Sequence, residues 1–546
     1  FIPSTMTDKG FSQKARKEQH NERRNNRLLN KPSGQTKLPT TFSQKANKES
    51  LDQFIHRVLS SKQIDDVEIL DLSRHKISEL SDKVKFYMRM LRKVRILNLY
   101  ANKLRVVPLE IGEMISLEIL GLNENCITEL PTTIGKLTKL QVLDLRYNRL
   151  TALPPEIGNL VSLKKLFVRW NKLIALPEEI SKLEGLVLLS VRNNKIAALP
   201  SLDGLKNLEE LDVQNNRLIT LPSVGKLTKL QILDAQYNEL TELPDGISSC
   251  KSLKHLHLRN NKISSLNGAE LANLTELVEL DVDTNRLVGS IPPEIAKLKT
   301  LKKLYLSHNR ISKLPEAFGE LKNLEELYLN NNNLKDISAV SPLPNLEVLE
   351  VSNNLLPGLP DSIAKLTSLK DLFAGSNQIE ELPAEFGELK SLMHLDLNDN
   401  LLEDLPTEIG QLKNLRILNL EGNQIQELPN EIGLVSKLQV LTLGFNNLTH
   451  LTSEVGKLSD LKELNLDENR LGSLPSEIGL CAALEVLSFN ENEINDLPNE
   501  LYQLDQLRLF GMDDNPLSAL PAKVTDGGSQ AVFNFLGERL KEQNEY

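Results

Sequence analysis

Aromatic residues are scarce in this 546-residue chain, at 4%, and tryptophan occurs once, as Trp170. With so few rings and so much leucine, the core is expected to be a series of aliphatic layers rather than one centre. Cysteine is nearly absent: Cys126, Cys250 and Cys481 are the three present, and none forms a CxxC pair. A disulfide framework and a cysteine zinc motif are therefore excluded, and a reducing compartment is expected. Cys250 and Cys481 fall where neighbouring phrases carry leucine, so both read as small buried hydrophobes. No run of 18 apolar residues exists, which argues against membrane insertion. The opening Phe1-Ile2-Pro3-Ser4-Thr5 lacks the charged and apolar segments of a secretory leader. A cytoplasmic location is the expectation, with the nucleus left open.

Catalytic signatures are also missing. There is no P-loop, no GxSxG, no HExxH and no kinase motif, so the chain is expected to be no enzyme and to hold no cofactor. His255 and His257 lie two apart on one strand, with His308 further on. A metal needs converging, supported ligands. No cysteine neighbours these histidines, so they are read as surface residues and not as a metal site.

Charge is unevenly spread. The net charge is −10, yet residues 1–50 hold eleven Lys and Arg against four Asp and Glu, a surplus of +7, leaving −17 for the rest. An acidic body is a poor surface for nucleic acid, which is not an expected partner. Residues 1–50 lack periodicity and read as a disordered basic tail. Within it, Phe11-Ser12-Gln13-Lys14-Ala15 recurs as Phe42-Ser43-Gln44-Lys45-Ala46.

What the chain does have is a repeat. Residues 51–66 place Leu51, Phe54, Ile55, Val58 and Leu59 at helical spacing, as an N-terminal capping helix. From residue 67 to 524 the phrase L-x-x-L-x-L-x-x-N-x-L-x-x-L-P-x-x-I-G-x-L returns, mostly every 23 residues. Its asparagines run from Asn102 to Asn515 with none missing, and His75 takes the place in a longer first unit, giving twenty repeats. This is the pattern of a leucine-rich repeat. The expected fold is an α/β solenoid: a leucine-rich repeat horseshoe with a parallel concave β-sheet and short convex turns or 3₁₀ segments. In L-x-L the leucines point inward and the alternate residues outward. Each asparagine sits where the chain leaves the strand, and its amide can satisfy buried backbone groups of the turn. Residues 285–309 form a 24-residue unit, Leu287-Val288-Gly289-Ser290-Ile291-Pro292, similar to a plant-type subclass. Residues 525–546 are expected to be a C-terminal capping helix and tail, with Ser529 as its N-cap and Val532, Phe533, Phe535, Leu536 and Leu540 covering the last repeat.

The outward strand positions lie six, four, two and one residues before each asparagine. Arg146, Tyr147, Lys165, Phe167, Arg169, Trp170 and Arg192 occupy them in three successive repeats, and Tyr237 and Arg259 extend the set. The three arginines should stack about 5 Å apart and need a counter-charge, either Asp144 or an acidic partner. Arg, Trp and Tyr are the types enriched at interface hot spots, so this zone is the candidate partner surface. Further along, the same positions turn acidic, from Glu279, Asp281 and Asp283 through Glu326, Glu350, Asp396, Glu421, Glu463, Asp467 and Glu468 to Asp513 and Asp514.

The series Leu143-Asp144-Leu145-Arg146-Tyr147-Asn148, Leu166-Phe167-Val168-Arg169-Trp170-Asn171 and Leu189-Ser190-Val191-Arg192-Asn193-Asn194 resembles the Shoc-two/Sur-eight type of Ras–Raf scaffold. The basic tail, the twenty repeats and the Gly527-Gly528-Ser529 segment before the last helix strengthen that resemblance. It implies a scaffold, monomeric on its own, that holds a small Ras-type GTPase and the catalytic subunit of protein phosphatase one on its concave face. Two segments approximate a phosphatase-docking RVxF motif. Lys83-Val84-Lys85-Phe86 lies inside the first repeat, where Val84 and Phe86 are expected in the core. Thr40-Thr41-Phe42 has threonine for valine and makes Phe42 a tail docking candidate. The alternative reading is a regulatory or substrate-recognition subunit of another enzyme, independent of Ras.

Overall fold

The computed structural model describes residues 41–42 and 67–544. The helix expected at 51–66 and the rest of the basic tail lie outside the described residues. Each repeat contributes a strand of about three residues, and these strands pair in parallel with neighbouring repeats in register, as Val142–Asp144 does with Lys165–Phe167. The resulting sheet has 21 described strands. Twenty of them come from the repeats, and Thr41–Phe42 adds one before Ile69–Asp71, where the first repeat leaves an open edge. That strand was not expected in a tail without periodicity. It is short, and it pairs through backbone rather than through a hydrophobic pattern.

The core follows from the phrase. The leucines at the inward strand positions are fully buried in repeat after repeat, as Leu143, Leu166 and Leu189 are. Each contributes roughly 1.5–3 kcal/mol over exposure. The asparagine ladder closes the turn below every strand. Asn148 Nδ2 donates to the carbonyls of Leu122 at 2.9 Å and Leu145 at 3.1 Å, while its Oδ1 accepts from the Ile127 amide at 2.9 Å. One side chain thus satisfies backbone groups of two repeats.

On the convex side most Leu-Pro pairs deliver an extended residue, and a 3₁₀ turn follows, such as Pro155–Asn159 after Pro154. The glycine of Ile-Gly is there for close approach: a Cβ on Gly158 would stand 2.6 Å from the carbonyl oxygen of Glu179 in the next repeat. The 24-residue unit does differ locally. Val288–Ser290 pairs with Arg310–Lys313 in a separate two-stranded sheet.

Both ends depart in detail from the sequence reading. Asp82–Met88 is helical, which buries Val84 at 4% but leaves Phe86 57% exposed, its ring edge-on to Tyr87. The Lys83–Phe86 motif is therefore not offered to a partner as one strand, and Phe86 is not core. At the other end the helix spans Gly528–Asn544 and starts before Ser529. The Ser529 hydroxyl donates to the Phe510 carbonyl at 3.4 Å instead of capping the helix. Val532 and Leu536 are fully buried against the last repeat, and Arg539 grips Asp496 with both Nη atoms, at 2.8 and 3.1 Å.

Candidate binding surface on the concave face

Outward side chains form columns across the sheet. Asp144, Phe167, Ser190, Asp212, Asp234 and His257 follow one another in register in one of them. The counter-charge for Arg146 is internal. Its Nε and Nη2 reach the two Asp144 oxygens at 2.8 and 2.6 Å, and its guanidinium lies 5.3 Å from the Phe167 ring centre. Arg146 is thereby buried, at 8% exposure, and braces that column from beside it rather than standing as an accessible contact. Arg169 and Arg192 are half-buried. Burial pushes the Asp212 carboxyl up, while the Ser190 hydroxyl at 2.7 Å and then the Arg192 and Arg169 guanidiniums hold it down. Burial and Asp212 likewise raise Glu210 against the pull of Lys165 and Arg169. The Nε of Arg192 is buried and donates no hydrogen bond.

Trp170 is 48% exposed and stacks on Tyr147, with ring centres 5.8 Å apart and planes 11° from parallel. Lys165 at the start of the same strand is exposed, and Phe167 is half-buried. Both stacked rings sit on left-handed backbone, with φ of 54° at Tyr147 and 58° at Trp170. The same is true of the residue before the ladder position in all twenty repeats, from Arg74 to Asp514, and Gly422 is the one glycine among them. Such a conformation costs an L-residue about 1–2 kcal/mol. It persists because the ladder and the adjacent strand over-determine it: the Trp170 amide donates to the Arg192 carbonyl at 3.0 Å. The aromatic anchors are thus held in place by backbone constraint. The sequence carried a signal of this in the Asn193, Asn215, Asn260, Asn331, Asn353, Asp399 and Asp514 residues at that position, types that tolerate the left-handed region.

Tyr237 is exposed at the equivalent position, and Arg259 lies 3.8 Å from Asp283. Phe42 pairs through its backbone with Leu70, well outside this zone. Further along the array the structure brings together a cluster that the sequence reading missed. Glu279 lies opposite His255 in the next strand, and its two oxygens reach His255 Nδ1 at 3.2 Å and His257 Nε2 at 3.4 Å. The close approach of His257 leads the causes that hold the Glu279 carboxyl down at about 2. His257 is raised despite its burial, by Glu279 and then Asp234. Asp234 is pushed up to about 6 by burial and by Asp212. The signal was available: a residue 24 positions after His255 must stand beside it in a parallel solenoid.

The acidic stretch divides in two. Its first part is internally neutralised, Glu279 by the histidines, Asp283 by Arg259, and Glu326 by Lys303 at 2.6 Å. In the second part burial raises Glu350, Asp396, Glu421 and Glu468, and neighbouring carboxylates add to this at Glu421 and Glu468. Asp467 accepts from neutral donors, the Ser488 hydroxyl at 2.6 Å and the Asn490 amide at 2.7 Å. Among the described residues no helix is long and apolar enough to cross a membrane.

Parallel strands, buried leucine layers, an asparagine ladder and 3₁₀ convex turns define a leucine-rich repeat solenoid. The comparisons agree. A leucine-rich repeat region matches residues 75–190, and a leucine rich repeat matches 228–287, 277–334, 375–425 and 459–517. Together these cover more than half of the chain, which belongs to the leucine-rich repeat proteins. A probable disease resistance protein of Arabidopsis thaliana is 41% identical over 103 residues, which is 19% of this chain and 11% of that protein. The match thus spans about a tenth of that relative. Among solved structures, the plant peptide hormone receptor RGFR1 in complex with RGF2 is similar at TM-score 0.68 and 28% identity, over 82% of this chain and 78% of that one. YopM from Yersinia enterocolitica is similar at TM-score 0.52 and 25% identity, over 86% and 96%. The fold is that of a protein-interaction scaffold.

Proposed function

We propose that this chain is a non-catalytic scaffold of the Shoc-two/Sur-eight type, holding a small Ras-type GTPase and the catalytic subunit of protein phosphatase one in cytoplasmic Ras/MAP kinase signalling. The observation that carries it is the Trp170–Tyr147 stack, exposed on the concave face next to Arg169 in the chain. Rigid aromatics flanked by cations are the usual anchors of a protein interface. The plant receptor was solved with the peptide RGF2, which supports reading a leucine-rich repeat surface as a protein-recognition face. The choice of partners rests on the resemblance in the arginine series, with Arg146 now a support for Phe167 rather than a contact. Two of the three cysteines are fully buried, as suits a reducing compartment.

The test is capture by the purified chain of a GTP-locked Ras-type GTPase and of the phosphatase subunit, with and without Arg169→Glu combined with Trp170→Ala. Loss of capture with an unchanged circular dichroism spectrum is expected. Equal capture by the double variant refutes the assigned surface. Capture of a phosphatase regardless of the nucleotide state, with no GTPase bound, favours a Ras-independent regulatory subunit.

A further inference from the structure

We propose that His255, His257 and Glu279 form a site for a divalent transition metal, zinc by its ligand chemistry, on the concave face of the array. The two histidines alternate on one strand and so share a face, and the parallel register sets Glu279 directly beside His255. One ligand atom from each residue falls within 4.8 Å of the other two. The nitrogen–oxygen separations of 3.2 and 3.4 Å, one to each Glu279 oxygen, are close to those of neighbouring ligands on one ion. Bonds of about 2.0–2.2 Å at tetrahedral angles place neighbouring ligand atoms roughly 3.3–3.5 Å apart. Imidazole nitrogen with one carboxylate oxygen suits zinc over magnesium or calcium, which prefer all-oxygen shells. Two histidines and a glutamate leave a fourth position for water or for a side chain of a docked protein.

The surroundings fit a cation. His257 Nε2 is buried and, although 3.4 Å from Glu279 Oε1, is out of line for a hydrogen bond. A bound ion would use that lone pair. Asp234 on the preceding strand and Asp281 on the following one flank His257 in register and add negative charge. The nearby cations are engaged elsewhere: Arg259 lies by Asp283, and Lys303 pairs with Glu326. His308 is not part of the cluster; it sits at the left-handed position of a later repeat.

The alternative is a histidine–glutamate ion pair with no metal affinity, and the experiment separates the two. The full chain, stripped with chelator, is titrated with Zn²⁺ against a chromophoric competitor and, separately, with Co²⁺ while visible absorption is followed. One saturable site per chain and the intense bands of tetrahedral Co²⁺ are expected. His255→Ala with His257→Ala should weaken binding by about 100-fold or more, and Glu279→Gln by about tenfold or more. His308→Ala should bind as the parent does. Trp170 fluorescence and circular dichroism establish that each variant is folded. Should the double alanine variant misfold, His257→Gln alone gives the same reading. The proposal falls if the parent takes up no stoichiometric ion, or if the His255 and His257 variants bind it equally well.

Discussion

Replacing Asp144 with alanine leaves the Arg146 guanidinium buried without its carboxylate. The two side chains are 9% and 10% exposed and meet through two short charged hydrogen bonds. Removing one partner of a buried pair costs about 3–5 kcal/mol, because the remaining charge is stranded. Replacing both partners by apolar residues, Asp144→Leu with Arg146→Met, should cost far less, since neither desolvation nor an orphan charge remains. In a solenoid each repeat contacts only its neighbours, so the damage stays local and a single global transition is the wrong probe. Trp170 is the one tryptophan and stacks on Tyr147, the residue after Arg146. Its fluorescence during urea unfolding therefore reads this segment alone. With a local m-value of about 2 kcal/mol/M, the single variant should lower the midpoint by about 1.5–2.5 M, and the double variant should recover most of that. A single-variant shift under about 0.3 M, or a double variant as damaged as the single, would refute the burial of the pair and return Arg146 to the contact surface.

Stability should also depend on pH around the Asp212–His257 column. Asp234 is raised from 3.8 to about 6, so the folded state binds its proton more tightly than the unfolded state does. That penalty, about 3 kcal/mol, is complete above the folded value and disappears below the unfolded one. His257 is raised as well, and its contribution is present below its unfolded value and lost as pH rises through the folded one. Both signs make the thermal midpoint higher at pH 5.5 than at pH 8 by differential scanning calorimetry, and Asp234→Asn should flatten the slope; a midpoint that rises with pH would contradict the assignment. Asn354→Leu removes donations to Leu329 and Val351 at 3.0 and 2.9 Å and an acceptor for the Leu334 amide at 3.0 Å. At about 1–3 kcal/mol for each of these three stranded groups, the loss should be roughly 3–9 kcal/mol, read as lost hydrogen-exchange protection in those repeats.

The fold was legible because one strong periodicity recurs twenty times, and strand, ladder and turn each have a chemical reason to occupy a fixed place in it. Arg146 and Asp144 were legible as a possible pair, being two apart on one strand. The burial of that pair was not, since nothing in the spacing says that the guanidinium lies back along the sheet over Phe167. Left-handed backbone at Tyr147 and Trp170 is not signalled by these aromatic residues and is legible only through the Asn and Asp at the same position of other repeats. The histidine–glutamate cluster was missed for a different reason. A strand read alone shows His255 and His257, while Glu279 enters only when the sequence is folded over at the repeat length.

Charge along the concave face has a physical consequence that depends on position. Up to Glu326 most acidic groups have a cation beside them, so added salt screens attractions there. From Asp396 onward the carboxylates face each other: Glu421 is raised by burial and then by Asp399 and Asp396, and Glu468 by burial and then by Glu491 and Asp467. Salt in that half screens repulsion instead. Raising the ionic strength from about 0.02 to 0.5 M shortens the screening length from roughly 20 to 4 Å, less than the spacing of two strands. Hydrogen exchange should then slow in the repeats between Asp396 and Glu491 and stay level or quicken around Asp144–Asp212. A uniform response along the array would mean that the two halves do not differ in net electrostatic strain. If they do differ, the acidic half gains most from a basic protein surface, and the Trp170 zone, whose charges are already balanced by Asp144, Glu210 and Asp212, must rely on its rings. A partner spanning both would then be oriented by charge at one end and anchored by stacking at the other.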